Sequence, residues 1–526
     1  METTSVAAPS APRLRRTLTL WDLILYGVIV IQPVAPMSVF GVLSDRGHGH
    51  VVTTILIAMV AMLFTAISYG KMARVYPSAG SAFTYVGQEI NPALGYVTGW
   101  SMVMDYMLNP MICIIWCSQI SRDFARGTPV VQSIPYWGWA VFFAAAFTLL
   151  NIQGVKTSAR VNTGLAAGMG AVIVLFFLTA AHYIWGHPHN EPDFFIRPFY
   201  DRDLWNMKAV LGGTSIAVLT YIGFDGISTL SEEAENPRRN ILLATVLTCL
   251  VIGILSAVEV YAGQLIWPAT QPFPNVDTAF TFVAGRAWAP LFGILGFTLL
   301  VANFGSGMGA QLGAARLLYG MGRSKALPQS FFGVVDSKKH VPRNNVIFVG
   351  VIALLGSFIV SYGLGAEMLN FGALIAFMGV NLAAFMHYDV RRDGGWVGKH
   401  VAPPLTGAVI LIFLSAGDSG LLAQILGWMA KYGAPPRAGA GMLIFLLVRQ
   451  LGTHAWILCG AGWACLALLS PPMAGFVICF FLWWNLSPPA KIVGAIWMAV
   501  GIAFGAIKTR GFRGNLIDFE LPPEEE

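Results

Sequence analysis

Asp105 and Asp225 are acids placed where water is not expected. Asp105 lies in Trp100-Ser101-Met102-Val103-Met104-Asp105-Tyr106-Met107 and Asp225 in Gly223-Phe224-Asp225-Gly226, each near the middle of a long apolar run. An ionised carboxylate at that depth of a bilayer costs a few kcal/mol at least. No Lys or Arg occurs in the apolar cores of the first, third, sixth or eighth runs to offset it. Either each acid carries a proton, or a cationic ligand or a proton completes the site. The structural alternative is an Asp bonded to nearby polar side chains, as Tyr106 and Asn109 allow beside Asp105. The available chemistry is thus the holding of an ammonium group or the carrying of a proton. Glu259, nearer the outer end of its own run, is a secondary candidate for the proton, and its replacement by Gln is expected to change little.

The elements that must position these acids look interrupted. Gly223 and Gly226 bracket Asp225, and each glycine weakens a helix by about 1 kcal/mol. Such a segment persists at membrane depth where it lines a polar cavity; its alternative is a glycine packing notch with a neutral Asp. In the first run, Leu20 to Phe40, Pro33 and Pro36 remove backbone donors and exclude a regular helix, with Gln32 beside them. Glu232, Glu233 and Glu235 follow the sixth run next to Arg238 and Arg239, as a solvated gate or salt-bridge cluster.

Composition sets the frame. Of 526 residues, 56% are hydrophobic and 11% charged, against about 25% charged in soluble domains. Apolar stretches near span length recur from Trp21 to Ile507, which makes the chain an all-α polytopic membrane protein in contact with the lipid bilayer. The runs fall at 20–43, 50–70, 92–121, 134–153, 163–186, 210–231, 241–266, 287–313, 344–363, 367–388 and 488–507, and the runs near 30 residues imply tilted helices. With twelve crossings and a cytoplasmic start, one side collects 21 Lys and Arg and the other 7, so both termini are expected in the cytoplasm of an inner-membrane protein. The charges are dispersed over short loops, which excludes a nucleic-acid partner. The cysteines have no metal-like spacing, no HExxH or DDxxD motif occurs, and neither a metal nor a cofactor is expected.

The chain also repeats itself. Ser81-Ala82-Phe83-Thr84-Tyr85-Val86 is echoed by Thr278-Ala279-Phe280-Thr281-Phe282-Val283, and nearly the same offset lays Gly27 on Gly223. Matching interruptions in two membrane halves are the sequence mark of a secondary transporter's binding site.

Several stretches resemble one family. Tyr221-Ile222-Gly223-Phe224-Asp225, Glu232-Glu233 and Asn236-Pro237-x-Arg239 are similar to helix six of the amino acid–polyamine–organocation (APC) superfamily. Pro36 to Phe40, Phe64 to Lys71, Gly80 to Tyr85, Arg316 to Arg323 and Asn370 to Phe377 resemble its bacterial putrescine importer branch. The resemblance implies a LeuT-like fold of 5+5 inverted repeats with helices 1 and 6 broken around a central site, and alternating access driven by proton symport or exchange. The chain then divides into a tail at 1–19, a first repeat at 20–186, an inverted second repeat at 210–388, a hydrophobic insertion at 402–469, two last spans at 470–507 and a tail at 508–526. The insertion departs from that branch and, with both flanks on one side, is expected to add two spans, its alternative being one re-entrant or surface-lying segment. Carried onto this sequence, the resemblance implies substrate contacts from Tyr26, Gly27, Gln32, Tyr221, Gly223, Phe224 and Asp225, with Tyr221 or Phe224 as an aromatic gate; Asp105 joins them by its depth in the third run. Proton coupling would fall to Asp225, Asp105 or Glu259.

Two departures bear on the substrate. Amino acid carriers of this superfamily show a small Gly-Ser-Gly-like run in helix 1, whose bare amides grip a carboxylate. Here Gly27 is followed by Val28-Ile29-Val30-Ile31-Gln32-Pro33, whose branched side chains and proline cannot form that nest. The lysine that some proton-coupled members carry in helix 5 is also missing, with Met169 at about that place. The expectation is an importer of a polyamine such as putrescine, coupled to protons; the alternative is an amino acid permease of the same fold. The partner is in either case a small cationic or zwitterionic substrate, and the sequence leaves the oligomeric state open.

Overall fold

The computed structural model describes residues 18–76, 81–125, 132–153, 159–187, 193–231, 233–323, 327–336, 339, 341–392 and 470–509. These residues are helical, with one isolated backbone pairing in which Leu18 N–H donates to Glu233 O (3.0 Å) and Glu235 N–H to Leu18 O (2.8 Å). Among them, eight helices are long and apolar enough to cross a membrane, and nine if the bent pair at the start counts as one span. The fold is the LeuT-like one, with helices 1 and 6 broken. The expected two spans of 402–469 lie outside the described residues.

Helix 1 is split into α1 (Leu20–Ile31) and α2 (Ala35–Arg46), bent by 45°. α1 starts on a capping box: Thr19 Oγ accepts from Asp22 N–H, and the Asp22 carboxylate accepts from Thr19 N–H at 2.9 Å. The helix ends because Pro33 has no N–H to give the Ile29 carbonyl. α3 (Val51–Val75) returns, a short α4 (Ser81–Glu89) follows, and α5 (Pro92–Phe124) crosses again. Asn91 caps α5 by accepting from Leu94 N–H at 2.8 Å, with Pro92 at the first helical position. Then come α6 (Tyr136–Gln153) and α7 (Ala159–Gly186).

The second half repeats the order. Helix 6 runs as α8 (Met207–Ala217), a 3-10 turn Val218–Thr220, a break at 221–223 and a 3-10 segment Phe224–Leu230. It is followed by α9 (Pro237–Ile266), a short α10 (Ala279–Ala287), α11 (Ala289–Arg323), the single turn α12 (Gln329–Phe332), α13 (Arg343–Ile359) and α14 (Tyr362–Phe385). The chain resumes with α15 (Pro471–Trp484) and α16 (Pro488–Lys508). The echoed hexapeptides fall on α4 and α10, each nine residues long and each leading into a long crossing helix. Asp389 and Ser470, which flank the insertion, meet on one face, where Ser470 Oγ donates to Asp389 Oδ2 at 2.9 Å.

The breaks themselves do not follow the echo. Gly27 sits inside the regular turns of α1, where an added Cβ would meet Ile227 and Thr248. It is a notch that lets α1 close on helix 6 and α9. The interruption lies five residues further on, at Gln32, where the φ of 67° is the left-handed conformation. Its counterpart is Gly223, at φ 123°, a value that glycine adopts without the Cβ penalty.

Candidate functional site

Asp225 follows the break of helix 6 directly, at the start of the segment Phe224–Leu230. Asp105 projects from the middle of α5, five residues before Pro110, whose ring leaves the Tyr106 carbonyl without its helical donor. Both acids are buried, at 5% and 8% exposure, and lie close enough for their charges to act on one another. The same electrostatic neighbourhood takes in Tyr26 from α1, Tyr69 from α3 and Tyr106 from α5. No Lys or Arg acts on either carboxylate among the described residues. The geometry is two acids and three phenols, with no cation among the described residues acting on them.

Small residues set this spacing. An added Cβ at Gly372 of α14 would press on the Ser101 carbonyl and stand 3.3 Å from the Asp105 nitrogen, so α14 closes directly on the turn that carries the acid. A Cβ at Gly313 of α11 would meet the Tyr106 ring at 3.1 Å. Near Gly226 the nearest atoms to such a Cβ are the Tyr26 hydroxyl and ring, 3.9 and 4.0 Å away, which leaves space between helix 6 and α1. Tyr26 is the accessible member of the group, at 37% exposure.

An aromatic layer flanks the acids. The Phe224 ring packs edge-on against Tyr69 (5.5 Å between centroids) and tilted against Phe377 of α14 (5.3 Å). Tyr69 also meets Tyr85 of α4 at 6.1 Å. The Tyr69 hydroxyl is buried and has no hydrogen-bond partner. A second aromatic plug, Phe40 edge-on to Phe273 and Phe280, seals the far face where α2 meets α10. There Asn303 Nδ2 donates to Ser38 Oγ at 3.1 Å.

The residues expected from the sequence divide accordingly. Tyr26, Asp105, Phe224 and Asp225 are brought together, and Gly223 supplies the turn between Tyr221 and Asp225. Gln32 is engaged elsewhere: its side-chain amide donates to the Ala302 carbonyl of α11 at 2.7 Å, tying the break in place. Tyr221 turns away from the acids, because its hydroxyl donates to the Ile55 carbonyl of α3 at 2.9 Å, and the side chain is fully buried there. Of the two expected gate residues, Phe224 alone stands beside the site. Glu259 is apart from it on α9, fully buried. Tyr69 and Phe377 were not anticipated; the unpartnered hydroxyl of Tyr69 marks it only once its neighbours are known.

Residues 36–414 match the family model for amino acid permeases. The chain is 31% identical over 520 residues to the low-affinity putrescine importer PlaP of Escherichia coli (strain K12), covering 97% of each chain. It is 26% identical over 433 residues to the branched-chain amino acid permease BcaP of Bacillus subtilis (strain 168), covering 78% of this chain and 89% of that one. To the methylthioribose transporter of the same organism it is 25% identical over 441 residues, covering 79% and 91%.

Proposed function

The chain belongs to the amino acid permease family, and from that premise we propose that it imports a diamine of the putrescine class together with protons, by alternating access. It is a multi-span transporter of a small amine or amino acid and not an enzyme. The diamine reading rests above all on Asp105 and Asp225, two buried carboxyls in one neighbourhood whose charges meet no Lys or Arg among the described residues. A bound ammonium group supplies the missing cation. The rings of Phe224 and Tyr69 offer it cation–π contacts of about 0.5–2 kcal/mol each.

The other half of the argument is what the site lacks. A zwitterion needs donors for its carboxylate. Around the break of helix 1, Val28 to Ile31 are β-branched, Pro33 has no N–H, and the Gln32 amide is spent on Ala302. A substrate with amines and no carboxylate fits this wall. The similarity to a low-affinity putrescine importer supports the same class. The basic residues, 21 to 7 in favour of the face that carries both termini, support a cytoplasmic placement of those termini.

The test is uptake of radiolabelled putrescine into proteoliposomes, with and without an inward proton gradient, in competition with alanine, leucine and arginine. Gradient-dependent accumulation that diamines compete and zwitterions do not is the expected result. Accumulation of an amino acid with no uptake of diamines would establish the permease alternative instead.

A further inference from the structure

Glu259 is a second buried carboxyl site that the Asp105 and Asp225 pair does not use. Its side chain is 0% exposed, and neither Oε1 nor Oε2 has a hydrogen-bond partner. One turn earlier on α9, the Ser256 hydroxyl is buried and unpartnered as well. A bare carboxylate in such surroundings carries its full desolvation cost with nothing to offset it.

The place of Glu259 along helix 1 is fixed by two contacts. At one end, Gly27 of α1 closes on Thr248 of α9; at the other, Phe40 of α2 closes on Gly263 of α9. At about 100° per residue, Glu259 falls between Thr248 and Gly263 around α9 as well as along it. It therefore stands beside the start of α2, just past the break at Gln32, and beneath the plug of Phe40, Phe273 and Phe280. Both halves of helix 1 rest on the same helix, one on each side of this carboxyl.

The elements packed on α9 bring no charge to it. Tyr69 on α3, Tyr26 on α1, Arg46 on α2, His182 on α7, Arg286 on α10 and Asp225 on helix 6 are the relevant titratable groups, and none acts on Glu259 electrostatically. Among the described residues no group of three or more His, Cys, Asp and Glu gathers here to hold a metal ion. A proton needs one oxygen and no room.

We propose that Glu259 is a proton-binding site of the transport cycle, distinct from the acids that hold the substrate. This inference rests on the proton-coupled reading above and assigns its proton to a residue. Movement of helix 1 about the Gln32 break opens the wall of α2 and α10 and lets the carboxyl take a proton from water on the far face. α2 and α10 then close over the protonated carboxyl, and the proton leaves toward the opposite face, on which the substrate is released. The sequence expectation that Glu259→Gln changes little is thereby reversed.

The test combines a readout that needs no substrate with one that does. Infrared spectra of the purified protein at neutral pH are expected to show a carboxylic C=O band that Glu259→Gln removes and Glu259→Asp shifts. In proteoliposomes, one proton per substrate accumulates putrescine about tenfold per unit of imposed pH step. Glu259→Gln is expected to keep putrescine counterflow at symmetrical pH within about twofold and to lose the response to the step, while Glu259→Asp retains it. A band unaffected by Glu259→Gln, or a gradient response equal to that of the parent protein, overturns the proposal. If the parent protein moves no putrescine, the substrate reading fails and the infrared arm still decides the proton site.

Discussion

The side-chain amide of Gln32 donates to the carbonyl of Ala302, 2.7 Å away, and so fastens the strained break of helix 1 to α11. A non-glycine residue at φ 67° costs about 1–2 kcal/mol. The bond to Ala302 offsets it, together with the Gln32 N–H to Val28 O contact at 3.1 Å. Gln32→Ala removes the tie and keeps the strain; Gln32→Gly removes both. Thermal melting in detergent should therefore rank the parent protein first, Gln32→Gly second and Gln32→Ala last. The reverse order of the two variants would mean that the conformation at Gln32 is unstrained.

Asp225→Asn and Asp105→Asn keep the shape of the site and delete one charge each. Losing one partner of a buried charge pair costs about 2–5 kcal/mol, a loss of at least about thirtyfold in affinity. Putrescine binding by scintillation proximity should fall by that factor in Asp225→Asn, with melting temperature unchanged or raised, since a buried carboxyl that costs desolvation is replaced by a neutral amide of the same shape. Full binding in that variant would make the aspartate structural.

Gly372→Ala tests how the acid is aimed. The new methyl would crowd the Ser101 carbonyl and the Asp105 backbone, neither of which can swing aside as a flexible side chain would. Overpacking of this kind costs about 1–3 kcal/mol. The expectation is a lower melting temperature and a raised KM for putrescine. Gly293→Ala, where nothing lies within 4 Å of the added atom, should leave both as they are.

These sites differ in how far they could be read from residues alone. The pair α4 and α10 was legible because each hexapeptide packs a short helix against the start of a long one, and equal tasks leave equal patterns. The break of helix 6 was legible at Gly223, where φ 123° demands glycine. The break of helix 1 was legible at Pro33, with Gln32 beside it, because a proline ends a helix more firmly than a glycine within it; only the match of Gly27 to Gly223 pointed five residues too early. Gly27 answers a contact with α9 that no local pattern encodes. Tyr69 and Phe377 join the site from α3 and α14, more than 300 residues apart in sequence, so only the fold brings their rings to Phe224. Tyr221 was misplaced for the converse reason, since a carbonyl of α3 claims its hydroxyl.

Asp277, in the loop before α10, gives a pH-dependent signature. Burial, and then the nearby charge of Asp123, push its carboxyl up from 3.8 to about 6. Asp123 is itself held by Asn275 and Thr278, which donate to its Oδ2. Between those two values the folded protein binds the proton more tightly than the unfolded chain does. The contribution of Asp277 to stability is therefore greatest at acid pH and declines as pH rises through about 6. Melting temperatures across that window should fall with rising pH in the parent protein and fall less in Asp277→Asn. Parallel profiles would show that Asp277 does not titrate there.

Arg46, at the end of α2, and Glu367, near the start of α14, form an ion pair of 2.9 Å across the far face. Glu367 also accepts from the Ser487 N–H at 2.9 Å, which ties α16 to the same carboxylate. The Arg46 side chain is 46% exposed and that of Glu367 is 4% exposed. Water screens the arginine, so the pair itself contributes less than about 1 kcal/mol to stability. Its effect should appear in the equilibrium between closed and open forms, which differ by similarly small energies. Arg46→Ala is expected to leave the melting temperature within a few degrees and to raise the labelling rate of a cysteine placed at Val42, which is buried beside Gly363 of α14. Glu367→Gln keeps an acceptor for Ser487 and loses the charge, so it should raise the same rate. Saturating putrescine should alter both rates, because substrate selects among the forms that the ion pair biases. Labelling at the parent rate in both variants would show that the plug of Phe40, Phe273 and Phe280 closes the far face without help from the ion pair.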